Sequence, residues 1–449
     1  MASEPLKTRP ASLRGTSLLN RLADHGIDRS RVSKNAVAVI DKLRSGGFDA
    51  YLVGGCVRDL LLGVVPKDFD VATDATPEDV RRVFPRVRLV GRRFRIVHVR
   101  MGREVIEVST FRRTLDDEED AQPQHLSEEG IILRDNVYGS IDEDAFRRDF
   151  TVNALYYDPV DDVVLDYCNG MADIAKRTLR LIGDPQQRFR EDPVRILRAI
   201  RFAAKLDLEI HPATHDAIAP MCEMLNAIPP ARLFDEFTKM FMTGHGEQTF
   251  ELLCRYELVD ILFPLPPDGD VVPRLALAST DRRIKEDKPV TPGFLLAAFL
   301  WPEYVERADI ALAEANGSRQ RVAAAEEELS RSVLAAQQST IAIPRRHSWF
   351  ARDVWRLQPM LDRRTQRNVN KLLAHPRFRA AYDFLLLRIE AGDAPEDLGQ
   401  WWTEVQTREG HDPDARPARD QPRRRRRRRR RSSPAVNNPE FANGGATPR

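Results

Sequence analysis

Two aspartates separated by one residue, Asp68 and Asp70, are the side chains best suited to chemistry in this sequence. We predict a short strand here, from Phe69 to Ala72. Alternate residues of a strand face the same side, ~6.6 Å apart along it, so both carboxylates should lie on one surface. Two like charges so placed need a cation, and Mg²⁺ binds one or two carboxylates together with phosphate oxygens. The same pattern also occurs by chance in solvated turns.

A glycine pair, Gly54 and Gly55, precedes these aspartates and separates a predicted buried strand from a predicted helix. Such a turn lets backbone N–H groups approach a phosphate, and the helix N-terminus adds favourable partial charge. The segment contains neither G-x-x-x-x-G-K-[ST] nor G-x-G-x-x-G. Arg58, one turn into the helix, suits a triphosphate, although it could instead pair with Asp59 or Asp68.

A third carboxylate is expected at a site of this kind. Glu107 lies in a strand pattern with apolar neighbours on both sides. An unpaired carboxylate there would be costly without a metal ion or an arginine. An internal salt bridge is the structural alternative for Glu107.

A small sheet is needed to position these side chains. Short segments rich in β-branched residues predict further strands at 95–99 and 105–110, and a helical pattern begins at Asn35. After about residue 180 the strand signals nearly vanish. Helical spacing then predominates at 189–206, 229–242, 247–258 and 319–336.

These residues together resemble the nucleotidyltransferase superfamily, in the class II family that contains bacterial poly(A) polymerases and CCA-adding enzymes. Residues 147–154 are similar to its R-R-D-F-T-x-N-A element and residues 191–198 to its E-D-x-x-R-x-x-R element. The similarity continues through 229–234 and, more loosely, to about Trp402. It implies an α+β fold: an N-terminal polymerase β-like nucleotidyltransferase head with a small mixed sheet, followed by a mostly helical neck, body and tail.

The resemblance implies a two-metal mechanism with ATP as the substrate. Asp68 and Asp70 would hold two Mg²⁺ ions, which Mn²⁺ could replace. Asp149 is offered as another active-site carboxylate, and the sequence does not rank it against Glu107. Either of these two could instead orient the ribose, pair with Arg148 or form an internal salt bridge.

The later elements imply recognition of the nucleotide. Asp192 and Arg195 would read the base, with Arg198 one turn further on the same helix face. The competing structural interpretation makes Asp192 a helix N-cap and Pro193 the first helical residue. The nucleotide-binding candidates are Gly54, Gly55, Arg58, Arg148, Asn153, Asp192, Arg195 and Arg198.

One stretch favours a particular branch of the family. Residues 89–99 look like the G-R-R-F-R-x-x-H-V stretch of bacterial poly(A) polymerases, where CCA-adding relatives usually carry a G-T-V-type sequence. Two positions depart from the family pattern. Cys56 stands where a small Gly or Ala is more usual, and residues 166–170 lack the full Gly-Gly of the family's hinge.

The resulting hypothesis is template-independent transfer of AMP from ATP to an RNA 3′-hydroxyl, with release of pyrophosphate. The resemblance implies a place in mRNA processing and RNA decay, with RNA-decay proteins as further partners. A CCA-adding tRNA nucleotidyltransferase is the alternative. A non-catalytic RNA-binding protein ranks lower, because the two aspartates and the glycine pair are intact.

The length of 449 residues predicts several domains. The predicted division is a flexible N-terminal segment (1–34), a catalytic head (35–180), a helical neck with nucleobase recognition (181–260), a helical RNA-binding body and tail (261–407) and a disordered arginine-rich arm (408–449).

Composition argues against a membrane protein and a zinc protein. Charged residues make up 31% of the chain, and the longest apolar run, 294–301, is shorter than the ~18 residues of a membrane span. The first thirty residues show no secretory signal. The four cysteines form no C-x-x-C pair. We therefore expect a cytoplasmic protein with neither a disulfide framework nor a zinc site.

The net charge of +2 conceals an asymmetry. Residues 408–449 hold thirteen arginines against five acidic residues, a net charge of +8, which leaves −6 for residues 1–407. Such an arm suits RNA or DNA because arginine neutralises and forks onto phosphate. A solubilising or membrane-surface tail is the alternative. The predicted RNA-binding residues are the consecutive Arg423, Arg424, Arg425, Arg426, Arg427, Arg428, Arg429, Arg430 and Arg431.

Overall fold

The computed structural model describes residues 19–91, 95–113, 137–314 and 319–411. Its strands are β1 (Asn20–Leu22), β2 (Ala50–Val53), β3 (Asp70–Thr73), β4 (Val87–Val90), β5 (Ile96–Met101), β6 (Glu104–Thr110), β7 (Leu155–Asp158), β8 (Val163–Asp166), β9 (Thr178–Leu179) and β10 (Glu209–Ile210). The first eight form one sheet in the order β1-β8-β7-β2-β3-β6-β5-β4, and β9 pairs with β10.

The helices in the first half of the chain are short and lie between the strands or directly after them. They are α1 (Lys34–Ser45), α2 (Gly55–Leu61), α3 (Pro77–Val83), α4 (Ile141–Arg147), α5 (Gly170–Ala175), α6 (Pro185–Glu191), α7 (Val194–Leu206), α8 (Pro212–Asp216) and α9 (Ile218–Met221). Short 3₁₀ helices cover Arg29–Arg31, Thr151–Asn153 and Cys222–Ala227.

Helices account for nearly all regular structure beyond that point. They are α10 (Pro230–Phe241), α11 (Gly246–Arg255), α12 (Val259–Leu262), α13 (Val271–Lys285), α14 (Pro292–Phe299), α15 (Trp301–Glu314), α16 (Arg319–Gln337), α17 (Arg345–Leu361), α18 (Gln366–Leu373), α19 (Phe378–Glu390) and α20 (Glu396–Arg408). Within the described ranges, none of the helices combines the length and apolar character that crossing a membrane requires.

The sheet is mixed, and α1 covers one of its faces. β3 pairs antiparallel with β2 and parallel with β6. The buried residues of α1 recur at helical spacing: Ala36, Val39, Ile40 and Leu43. They share one core with Leu52 of β2, Val71 of β3 and Val108 of β6. The predicted α+β fold, with a mixed sheet in the head and a mostly helical remainder, is confirmed.

One predicted helix is wrong. The segment 189–206 forms two helices, α6 and α7, with Asp192 and Pro193 between them. Proline disfavours the helical conformation of the residue before it, and Asp192 accordingly has φ −152° and ψ 88°. Pro193 takes the N-cap position of α7 and no side chain caps the helix. The interpretation of Asp192 as an N-cap is therefore also wrong.

The segment that departs from the family hinge is organised by a single carboxylate. Asp166, the last residue of β8, accepts hydrogen bonds from the backbone N–H groups of Cys168, Gly170 and Met171, each 3.0 Å long. Gly170 lies directly against Thr151, where a Cβ atom would overlap the carbonyl group. These contacts anchor the 3₁₀ turn that holds the R-R-D-F-T-x-N-A element.

The helical part is built around a continuous apolar core between Phe150 and Leu387. Aromatic rings fill its centre. The ring of Phe299 lies 4.5 Å from that of Phe263 and 5.3 Å from that of Phe241, measured between centroids. Phe299 is fully buried, so its ring packs against neighbours on every side.

Truncation of this ring should be costly. We expect Phe299→Ala to lower the free energy of unfolding by about 3–5 kcal/mol, because it removes buried apolar surface and leaves a cavity. Urea denaturation of the full chain measures the change. The matched control is Val160→Ala, at a side chain that is 51% exposed. An equal loss in both variants would contradict a central role for Phe299.

Candidate active site

Two carboxylates stand in register at the end of the sheet where β3 begins, and a third is near enough to act on one of them electrostatically. Asp70 is the first residue of β3, and Glu107 of β6 is its register partner in the parallel pair. Paired residues of neighbouring strands project to the same face. Asp68 precedes the strand, in an exposed bend. The strand thus begins one residue later than predicted, and Asp68 joins the cluster from the loop.

The pKa of Asp70 is raised by its surroundings. Burial is the main reason that its pKa is raised, to about 6. The negative charge of Glu107 adds to the effect and that of Asp68 adds less, while the positive charge of Arg148 opposes both. Burial and the neighbouring carboxylates thus both favour the protonated form of Asp70.

The donor set fits a hard divalent cation. Carboxylate oxygens are preferred ligands of Mg²⁺, which usually takes further oxygens from a bound phosphate or from water. Across the part of the chain that the structure describes, no three His, Cys, Asp or Glu side chains converge closely enough to enclose an ion. A cation at this edge would therefore share its coordination between the carboxylates and a substrate.

The glycine turn (Gly54 and Gly55) joins β2 to α2 beside the carboxylates. Gly54 has φ +75° and ψ −127°, a conformation that residues with a side chain rarely adopt. A Cβ atom there would lie 3.3 Å from Nη1 of Arg148. The N–H of Gly54 donates to the carbonyl of Leu155 at 3.2 Å. The N–H of Gly54 is thus engaged within the protein, and this residue contributes the shape of the turn.

A chain of polar side chains connects α2 with α7. Nη1 of Arg58 donates to Oδ1 of Asn153 at 2.5 Å, and Nδ2 of Asn153 donates to Oδ1 of Asp149 at 3.1 Å. Oδ2 of Asp149 then accepts from Nε of Arg198 at 2.8 Å. Arg58 is also paired with Asp59 at 2.6 Å, one of the two partners that the sequence left open. The structure thus brings four sequence-predicted residues together.

Asp149 is held as a fully charged partner of arginine. Burial alone would raise its pKa, yet the charge of Arg198 and hydrogen bonds from Asn153 and from the Phe150 N–H hold the pKa well below its usual range. The guanidinium groups of Arg58 and Arg198 lie 5.2 and 5.3 Å from the centre of the Phe202 ring. Asp149 therefore links the neck to the glycine turn.

Arg148 has a different acidic partner from those that the sequence suggested. Its Nη2 donates to Asp144 at 2.8 Å and its Nε to the Tyr156 hydroxyl at 3.1 Å. The Tyr156 hydroxyl donates to the same carboxylate at 2.6 Å. Burial favours loss of the proton, but Tyr156 and Asp144 hold the pKa of Arg148 above its usual value. Its fixed positive charge acts on Asp70.

The candidate base-reading residues lie at the junction of α6 and α7. Asp192 is in the break between the helices, and its Oδ2 accepts from Nη2 of Arg232 at 2.6 Å. Nη1 of Arg195 donates to the carbonyl of Arg188 at 2.7 Å and to Glu191 at 3.0 Å. The predicted common helix face holds for Arg195 and Arg198, while Asp192 precedes the helix.

Two contacts in these sites escaped the sequence analysis. His98 of β5 is the register partner of Glu107, with its Nε2 atom 3.1 Å from Oε1 of that carboxylate. It belongs to the stretch that indicated the family branch. Arg232, which contacts Asp192, lies in the 229–234 element. Both residues lie in segments that resemble the family, but the sequence did not indicate which side chain either residue contacts.

Some sequence-predicted residues lie outside the described ranges. These are the nine arginines from Arg423 to Arg431 and, in the family-specific stretch, Arg92, Arg93 and Phe94.

Comparison with protein families identifies three regions of the chain. Residues 50–180 match the Poly A polymerase head domain. Residues 207–267 match a model described as "Probable RNA and SrmB-binding site of polymerase A", and residues 318–433 match the Polymerase A arginine-rich C-terminus. Poly(A) polymerase I of Escherichia coli O6:H1 is 46% identical over 394 residues, which cover 85% of this chain and 84% of that protein.

CCA-adding enzymes are more distant relatives. That of Streptococcus suis is 39% identical over 248 residues, 55% of this chain and 59% of that enzyme. Among solved structures, the Bacillus stearothermophilus CCA-adding enzyme in complex with CTP superimposes with a TM-score of 0.50 at 26% identity. The superposition covers 83% of this chain and 82% of that structure.

The titration of Asp70 predicts a pH-dependent stability. The folded state holds the Asp70 proton up to about pH 6, whereas the unfolded chain releases it near 3.8. Protonation of Asp70 therefore stabilises the folded state, and this stabilisation is fully present below pH 3.8 and lost as the pH rises through about 6. In EDTA, we expect Asp70→Asn to raise the free energy of unfolding at pH 7 by about 1–2 kcal/mol, after allowance for partial solvent exposure.

Urea denaturation at the two ends of this pH range measures the effect, with Asp68→Asn as the exposed control. A gain for Asp70→Asn that is equally large below pH 3.8 would contradict the raised pKa.

Proposed function

Because the chain belongs to the poly(A) polymerase family, we propose that it transfers AMP from ATP to the 3′-hydroxyl of RNA, without a template, and releases pyrophosphate. The observation that carries this function is the cluster of Asp68, Asp70 and Glu107 beside the glycine turn. Poly(A) polymerase I matches 85% of the chain and the CCA-adding enzyme 55%. Polyadenylation is therefore preferred to CCA addition.

The reaction needs the RNA 3′ oxygen aligned with the α-phosphorus of ATP and with the departing pyrophosphate. We assign Asp68, Asp70 and Glu107 to hold two Mg²⁺ ions, which Mn²⁺ could replace. Bound there, such ions neutralise charge on the attacking and leaving oxygens.

The other side chains around the turn would hold the triphosphate. Gly54 keeps the space beside Arg148 open, because any Cβ would come within 3.3 Å of that guanidinium. Arg148 supplies a permanent positive charge that acts on Asp70. Arg58, fixed by Asp59 and Asn153, places its guanidinium group beside the glycine turn. Its Nη2 lies 3.6 Å from where a Cβ of Gly55 would be. Groups already fixed in position need little reorganisation when charge develops on the phosphates.

We propose Glu107 as the third catalytic carboxylate. It stands in register with Asp70, and its charge raises the pKa of that residue. Asp149 is assigned a positioning role, since its two oxygens are engaged by Arg198, Asn153 and the Phe150 N–H. His98, within hydrogen-bonding distance of Glu107, would orient the catalytic carboxylate.

Selection of ATP is assigned to Asp192 and Arg195. Each is held by a charged neighbour, Asp192 by Arg232 and Arg195 by Glu191. These pairs would fix the direction of one acceptor and one donor toward a base edge. Arg198 and Asn153 connect this part of the neck to the glycine turn through Asp149. Base recognition and triphosphate binding would thereby share one polar chain.

RNA would be held by the helical body, 261–407, and by the nine arginines at 423–431. The arginine run lies within the region matched by the arginine-rich family model. Its contribution would be independent of RNA sequence, since phosphate neutralisation carries no base information. Participation in RNA decay, RNA-decay proteins as partners and a cytoplasmic location are further proposals, supported by family membership.

A nucleotide-specificity assay tests the proposed activity. Purified full-length protein is incubated with Mg²⁺, an unstructured RNA and each nucleoside triphosphate singly. We expect long tails from ATP alone. A truncated tRNA is the second substrate, on which use of CTP followed by arrest would support a CCA-adding enzyme. Asp70→Ala should abolish extension while RNA affinity stays nearly unchanged. If the wild-type protein fails to extend RNA with any of the nucleoside triphosphates, a non-catalytic RNA-binding protein is favoured.

The two candidate third carboxylates can be separated by stability and rate. We expect Glu107→Gln to lower kcat by about 10²–10³-fold, the loss found when one group that stabilises transition-state charge is removed, with little loss of stability. Asp149→Asn should instead lower the free energy of unfolding by about 3–5 kcal/mol, because Arg198 loses its charged partner. Single-turnover kinetics and urea denaturation measure both. A folded Asp149→Asn variant as slow as Glu107→Gln would assign Asp149 to catalysis.

A further inference from the structure

One face of α17, far along the chain from the carboxylates, combines arginines with an exposed tryptophan. Arg345, Trp349, Arg352 and Arg356 follow one another at intervals of four, three and four residues, so they lie along a single side of the helix. Arg346 is exposed next to them. We call these five residues the α17 face.

Trp349 is unusual among the tryptophans of the chain. Trp349 is 62% exposed, whereas Trp401 is half-buried and the other three tryptophans are buried: Trp301, Trp355 and Trp402. Trp349 borders a groove of about 490 Å³ whose other lining residues are all charged: Glu327, Arg352, Asp353 and Arg356. A large ring exposed to water offers a flat apolar surface on which another ring can stack.

The charge of the face is positive. α17 contains four arginines and one acidic residue, Asp353. Arg352 is paired with Glu327 of α16, and Arg356 with Asp353 at 3.1 Å. Arg345 has no acidic partner within ion-pair distance among the described residues. The face thus keeps uncompensated guanidinium charge beside the exposed ring.

We propose that the α17 face is a subsite for single-stranded RNA, in which one base stacks on Trp349 and the flanking phosphates contact Arg345, Arg346 and Arg356. Aromatic rings and arginines together hold single strands without regard to sequence. The inference rests on the proposed function, because the RNA held here would be the strand whose 3′ end is extended.

A protein partner suits this face less well. Cores of protein interfaces are depleted in charged residues. Here every other residue that lines the groove is charged. The arrangement matches a base, which is flat and stacks on one ring, joined to phosphates that need cations.

Equilibrium binding of a 5′-labelled oligo(A) to the full-length protein, without ATP, tests the subsite. Trp349→Ala should weaken binding about tenfold, the loss expected for one stacked base, and Trp349→Phe should retain most of the affinity. The double variant Arg345→Ala/Arg346→Ala should weaken binding and reduce the salt slope by about 1.4, at ~0.7 per phosphate contact. The control is Ile310→Ala, at another exposed apolar residue (64%) that is not on α17.

Tryptophan fluorescence provides a second test, which does not depend on an alanine variant. The emission of Trp349, obtained as the difference between wild type and Trp349→Phe, should be quenched by oligo(A). Unchanged affinity in Trp349→Ala, or absence of quenching, would overturn the subsite and leave a protein contact as the next hypothesis. Failure of the proposed function gives a different result: the wild-type protein binds oligo(A) but does not extend it with any of the nucleoside triphosphates.

Discussion

Burial and like charge act together on Asp70 at the start of β3, and the rest of the site is arranged around this carboxylate. The parallel pairing of β3 with β6 places Asp70 and Glu107 in register, and the bend before β3 adds Asp68. Burial and these neighbours raise the pKa of Asp70 to about 6. Only added positive charge relieves the repulsion while the carboxylates remain ionised. The surrounding residues are therefore best understood as groups that bring positive charge, or a charged substrate, to this edge.

A second constraint acts between the head and the neck. The polar chain from Arg58 through Asn153 and Asp149 to Arg198 spans from α2 to α7, and Phe202 lies beneath both guanidinium groups. Buried ion pairs contribute little net stability, because desolvation offsets most of their attraction. Their value here is directional, since each group has one arrangement that satisfies its partner. The orientation of the neck relative to the glycine turn is fixed by these contacts.

The comparison with relatives and the geometry of the site support the same function independently of each other. The match to Poly(A) polymerase I covers most of the chain, and the solved CCA-adding structure shares its fold. Neither specifies which side chains hold a metal ion or read a base. Those assignments come from contacts: Glu107 beside Asp70, Asp149 engaged by Arg198, and Asp192 held by Arg232. The α17 face adds an exposed ring among arginines that family membership alone does not explain.

Local spacing and composition were enough to predict the motifs, the mixed head and the helical remainder, because these features depend on residues close together in the chain. The same pattern was misleading at Pro193, where a helix predicted over 189–206 is interrupted. The register of Glu107 with Asp70, and the pairing of Asp149 with Arg198, 49 residues away, became known only from the three-dimensional arrangement. Periodicity shows which face a residue occupies, but strand order and helix packing decide what lies opposite it.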